Sequence, residues 1–218
     1  MGEVTAVFSI PGVLPLSIAC AAIFALREIA AYRGALGFKY LLTPLITLLI
    51  IGIAVLSAGK GLTGYQFLIV GALTLSLIGD AMLMIEEVNL FLHGLVFFLA
   101  AHIAYVFAFS MGYAWQPWNL APALVLGVLY IAYNAWVRKT QVAVYSAILM
   151  LMVFFAVSSF NAGATTRAVV LCFAAVLFAL SDGLLGYNTF VKRIPNSTVY
   201  TWALYAPAQF LFALSCYL

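Results

Sequence analysis

The chain is a succession of long apolar runs separated by short polar breaks. With the breaks taken as boundaries, eight runs emerge: Val4–Leu26, Phe38–Ala58, Tyr65–Ile85, Leu90–Tyr113, Trp118–Val137, Val142–Phe160, Ala168–Val191 and Val199–Leu218. Each is close to the roughly 20 residues that a helix needs to cross a bilayer. Apolar residues follow one another within the runs instead of alternating, which predicts helices and not the strands of a barrel. The breaks are short and none resembles a linker, so residues 1–218 are read as one membrane-embedded eight-helix domain. The predicted class is an all-α integral membrane protein.

Composition agrees. Charged residues make up 7% of the chain, against about 25% in soluble domains. Hydrophobic residues make up 67% and the mean hydropathy is +1.19, so the chain lacks the polar residues to cover itself in water. The opening "MGEVTAVFSIPGVLPLSIAC" has no basic region before its apolar run and is read as a first span, not a cleaved signal peptide. Cys20, Cys172 and Cys216 lie in apolar stretches without metal-ligand spacing, and read as small packing residues.

Charge then orients the chain. Arg27, Arg33, Lys39, Arg138, Lys139, Lys192 and Arg193 fall on one side of the predicted bundle, with only Lys60 and Arg167 on the other. Basic residues favour the cytoplasm, so both termini are expected to be extracytoplasmic. The net charge of +3 comes from these orienting residues and implies no nucleic-acid partner. The "NST" at Asn196 is read as a turn after Pro195. A compact chain without a sorting tail suggests a bacterial inner membrane. Helices three and seven share a short pattern, "IGDAMLM" and "LSDGLLG", and point the same way. That hints at two related four-helix halves.

The pattern places aspartates where solvent penalises charge most. Asp80 falls about 8 Å before the cytoplasmic end of helix three, and Asp182 about 13 Å before that of helix seven, at about 1.5 Å per residue. Charged groups inside a span usually face the bundle interior or a water-filled cavity. His102 and Gln209 lie nearer the midplane and Lys39 opens helix two on the same side, so one cytoplasm-facing cavity is expected. Structural readings stand beside this one: the aspartates pairing with Lys39 or hydroxyls, and His102 as a packing residue. Glu86 and Glu87 are read as solvated, His93 as snorkelling, and Tyr130 with Asn134 as a tie between helices.

On helix four, His102 shares a stripe with Gly94, Phe98, Tyr105 and Phe109. On helix eight, Tyr205 and Gln209 are one turn apart. His93 and His102 are nine residues apart, hence on opposite helix faces; with no third histidine or cysteine cluster, no metal site is expected. Gly-rich phosphate loops, GxSxG elbows and CxxC motifs are not found.

Two carboxylates in a low-dielectric cavity divide their labour naturally. Burial and mutual repulsion oppose ionisation of both, so one can act as acid while the other activates water or steadies positive charge, as in acetal-cleaving glycosidases. Which does which is open at this level. Paired intramembrane aspartates also serve proton- or cation-coupled transporters, the main alternative, with a metal-dependent lipid hydrolase third.

The ordered motifs "GDAMLM", "FLHGLVFFLAAHIAYVFAF", "LFALSDGLLGYNTF" and "YAPAQFL" resemble the YhhN family of lysoplasmalogenases, the transmembrane 86 family in animals. The resemblance runs from helix two to helix eight. It implies an eight-helix membrane hydrolase that cleaves the vinyl ether of a lysophospholipid to a fatty aldehyde and glycerophosphocholine or glycerophosphoethanolamine, without a cofactor. On this match Asp80 and Asp182 are the paired catalytic aspartates, His102 the helix-four histidine and Gln209 the helix-eight glutamine; Tyr105 completes the helix-four motif. His102, Tyr105, Tyr205, Gln209 and Lys39 are expected to bind or orient substrate. In place of the family's lysine followed by proline, Lys39 is separated from Pro44 by "YLLT". The expected partners are the lysophospholipid and membrane lipids.

Overall fold

Burial in a bilayer forces backbone groups to satisfy one another, and helices do so within a single segment. The computed structural model describes residues 6–59, 61–85 and 90–218, and its secondary structure there is helical. The long helices are α1 (Val13–Tyr32), α2 (Leu36–Leu56), α3 (Gly64–Met84), α4 (Phe91–Phe109), α5 (Leu120–Val137), α6 (Thr140–Ala162), α7 (Thr166–Phe190) and α8 (Ser197–Leu214). Single 3₁₀ turns precede α5 and follow α8. Seven of the eight are long and apolar enough to cross a membrane, making this a multi-pass membrane protein. The exception is α8, whose 18 residues include Tyr200, Thr201, Trp202, Tyr205 and Gln209. Much of α8 is buried inside the bundle, which is why polar side chains are tolerated there.

Local chemistry sets the ends. The Thr63 hydroxyl accepts from the Gln66 N–H while the Gln66 side chain accepts from the Thr63 N–H, a capping box that starts α3. Thr165 caps α7 through the Ala168 N–H. Asn196, in the left-handed region at φ 54°, makes the turn into α8. The first helix departs most from expectation. It starts at Val13, after Gly12, which sits at φ 90° as its N-cap. It continues to Tyr32 because Arg27 is not a loop charge: its Nη1 donates to Glu28 Oε1 at 2.7 Å, and the pair stays inside the helix. Without Arg27 the basic bias still favours the same side. Lys60, Glu86, Glu87 and the expected start at Val4 lie outside the described residues.

Helix neighbours recur with a four-helix shift. The contacts α1–α2, α2–α3 and α3–α4 are matched by α5–α6, α6–α7 and α7–α8, and α4 against α6 is matched by α8 against α2. The recurrence fails most plainly at the first helix of each half. Helix α1 packs on α8, whereas α5, its counterpart, stands off α4 across an apolar groove. Only Val137 of α5 is buried. Asn134 ties α5 to α6, donating to Ser146 Oγ at 2.9 Å as well as to the Tyr130 carbonyl in its own helix.

The α3–α4 seam is the closest. A Cβ on Gly79 would lie 2.7 Å from the Phe98 ring. Overpacking of this kind costs about 1–3 kcal/mol. Gly79→Val should therefore lower the denaturation temperature in detergent, whereas Gly71→Ala, where a Cβ meets open space, should leave it unchanged or raise it. Thermal melts of the two variants check this.

Candidate active site

Asp80 projects from the last turns of α3 and is 6% exposed. A carboxylate at that depth needs donors, and two adjacent helices provide them. Thr47 of α2 donates to Asp80 Oδ2 at 3.1 Å and Tyr205 of α8 to the same oxygen at 2.9 Å. Behind Tyr205 the chain of hydrogen bonds continues. Gln209 Nε2 donates to the Tyr205 hydroxyl at 2.8 Å, and the Tyr105 hydroxyl of α4 donates to Gln209 Oε1 at 2.6 Å. Gln209 and Tyr105 are fully buried.

Asp182, on α7, has a matching set. The Tyr145 hydroxyl of α6 donates to its Oδ2, and His102 Nε2 of α4 lies 3.4 Å from the same oxygen. The Asp182 side chain is 8% exposed and His102 is wholly buried. The His102 ring is wedged edge-on between Tyr145 and Phe178, so its placement is fixed by packing. Nε2 makes no hydrogen bond in this arrangement.

The two arrangements obey the same four-helix shift as the fold. Each aspartate is met by the helix preceding its own (α2 or α6) and by the last helix of the other half (α8 or α4). One step before each aspartate, Gly79 abuts Phe98 of α4, and Ser181 Oγ donates to the Thr201 carbonyl of α8 at 3.0 Å.

Both aspartates line a single polar cavity of about 140 Å³. Its other walls include Arg27, Lys39, Thr43, Asn188, Thr201 and Tyr205. It sits at the end of the bundle where α1, α3 and α7 finish and α2 and α8 begin, which is the basic-rich side. The structure thus brings together Asp80, Asp182, Tyr205 and Lys39 on the wall, with His102, Gln209 and Tyr105 one step behind. His93 is exposed, and no cluster of three or more His, Cys, Asp or Glu placed to hold a metal is found among the described residues.

Four participants escape sequence inspection: Thr47, Tyr145, Trp202 and Arg27. A threonine or tyrosine in an apolar helix is too common to mark a site. Arg27 is different. It is 1% exposed, stacks over the Trp202 ring at 4.3 Å and reaches Thr43 Oγ1 at 3.4 Å. Its signal was the adjacent Glu28, since an Arg–Glu neighbour pair can be carried into a span. Arg193, by contrast, is exposed and away from the cavity wall.

Comparison with known proteins adds a family. The sequence model of the YhhN family matches residues 35–216. The chain belongs to the YhhN family. Among characterised relatives, it is 30% identical to the lysoplasmalogenase TMEM86B of Sus scrofa over 129 residues, 57% of this chain and 53% of that protein. It is also 30% identical to the Homo sapiens protein of the same name over 134 residues, 57% and 53% of the two chains. The chain spans about half the length of the curated relatives it matches. No solved structure matches it.

If the Tyr105–Gln209–Tyr205–Asp80 relay acts as a unit, Tyr205→Phe and Gln209→Leu should not add. A double-mutant cycle on denaturation is expected to return a coupling of about 0.5–3 kcal/mol; simple additivity would show that the relay is not linked.

Proposed function

We propose that the protein is a membrane hydrolase that cleaves the vinyl ether of lysoplasmalogens, releasing a fatty aldehyde and a glycerophosphocholine or glycerophosphoethanolamine. The observation that carries this reading is the single cavity shared by Asp80 and Asp182, each approached by hydroxyl or imidazole groups from two other helices. The printed names of the TMEM86B relatives support it.

Vinyl ether hydrolysis needs a proton, a water and somewhere to place positive charge. One aspartate, entering protonated, gives its proton to the alkenyl carbon remote from oxygen. The π pair forms the new C–H bond and the ether oxygen shares the resulting charge as an oxocarbenium ion. The second carboxylate faces that cation and takes a proton from the water that attacks it. The hemiacetal collapses when this proton passes to the glyceryl oxygen and the hydroxyl proton returns to the first aspartate. The C–O bond breaks, the aldehyde leaves and both aspartates regain their starting states. General acid–base work of this kind contributes roughly 10²–10⁴-fold. His102 and the Tyr205–Gln209 pair orient water and substrate, and Arg27 with Lys39 faces the anionic headgroup.

The site opens on the basic-rich side, so the substrate enters from the cytoplasmic leaflet and both termini lie outside; the host membrane is a bacterial inner membrane. The transporter alternative has less to stand on. Pro44 and Pro207 lie inside α2 and α8, which are not counterparts under the four-helix shift, whereas transporters pair broken helices in matching positions.

The substrate claim is checked with purified protein in mild detergent, by mass spectrometry of released aldehyde. Aldehyde is expected from a lysoplasmalogen and none from the saturated alkyl-ether analogue. Uptake of solute into proteoliposomes without aldehyde release would favour transport instead.

A further inference from the structure

The groove left where α5 stands off α4 has a volume of about 510 Å³. That lies within the roughly 300–1,000 Å³ of sites that bury a small ligand. Its walls are almost entirely apolar, from Phe91 and Leu95 of α4 across α5 and α6 to α7. Polar groups meet it chiefly at its waist: Tyr133, Tyr145, Ser146 and Asp182. Asp182 and Leu185 also line the polar cavity. Helix α7 is thus the wall common to a polar space and an apolar one, and one of the two aspartates sits at their junction.

We infer that this groove holds the single hydrocarbon chain of the substrate, with the headgroup in the polar cavity and the scissile ether at Asp182 between them. The inference rests on the lysolipid reading above and specifies how that substrate lies. The polar cavity is at the basic end of the bundle, so a headgroup there leaves the chain to run the other way, deeper into the bilayer. That arm of the groove is lined by Val176, six residues before Asp182, by Val153, eight residues beyond Tyr145, and by Leu126. At about 1.5 Å per residue it extends roughly 9–12 Å past the carboxylate. Because α5 is almost wholly unburied, the chain enters sideways from lipid and never crosses water. A second apolar recess, about 180 Å³ between α1 and α8 beside Cys20, Phe24 and Phe210, is lined by neither aspartate.

The placement predicts a selectivity. An intruding side chain in the deep arm should shorten the chain that fits without disturbing the aspartates. Val176→Trp on α7 and Leu126→Trp on α5 are each expected to lower turnover of an 18-carbon lysoplasmalogen tenfold or more relative to a 10-carbon one. A second measurement needs neither variant nor turnover. The wild-type protein in nanodiscs is photolabelled with a single-chain lysolipid carrying a diazirine near its chain end. Labelling of α5, α6 and α7 around Leu126, Val153 and Val176, displaced by excess lysoplasmalogen, is the expected result. Label in the α1–α8 recess, label that lysoplasmalogen does not displace, or an unchanged chain-length ratio in both folded variants would overturn the placement. Aldehyde release with label in the recess defeats the placement alone. Displaceable label in the groove without aldehyde defeats the proposed hydrolysis alone.

Discussion

A carboxylate inside a bilayer has to be met by donors, and most of what is distinctive in this bundle follows from doing that twice. Asp80 is 6% exposed and the Asp182 side chain 8%, so bulk water solvates neither fully, and each unmet polar atom would cost several kcal/mol. The donors therefore come from neighbouring helices, Thr47 and Tyr205 for Asp80 and Tyr145 for Asp182, with His102 Nε2 3.4 Å from the Asp182 oxygen. Each bond also fixes one helix against another. The polarity that keeps α8 below the hydropathy of a spanning segment is the same polarity that holds Asp80, and α8 tolerates it by being buried among the others.

The two sets of groups around the aspartates follow the same four-helix shift as the helix contacts. An arrangement of that kind brings two carboxylates into one cavity without either half containing a site of its own. The departures from the shift matter as much as the agreement. Histidine meets one aspartate where tyrosine meets the other, so the two carboxylates sit in different chemical surroundings. Helix α5 stands off α4 whereas α1 packs on α8, and this places apolar space beside Asp182 and not beside Asp80.

Much of this was legible in the sequence because the bilayer is an exacting solvent. Eight apolar runs mark eight helices, and two aspartates inside such runs mark a site with little competition from decoys. Tyr205 and Gln209, one turn apart on α8, were visible as a polar pair, and the stripe from Gly94 to Phe109 on α4 is buried as its spacing indicated. Helix ends were less legible. A charge in an apolar run reads as its boundary, which misplaces Arg27, whose pairing with Glu28 and stacking on Trp202 carry it inside. Thr47 and Tyr145 could not be singled out, since nothing in a lone hydroxyl shows that it faces a carboxylate on another helix. The groove was invisible for a deeper reason: it is made by the distance between two helices, which no residue encodes by itself.

The central claim is that Asp80 and Asp182 act on one substrate as a pair. The most direct measurement is kcat for aldehyde release by Asp80→Asn, Asp182→Asn and the double variant, each shown to be folded. A working pair predicts that either single change lowers kcat by on the order of 10²–10⁴-fold, and that the double variant is little worse than the more damaging single one. Either single variant turning over near the wild-type rate would contradict it.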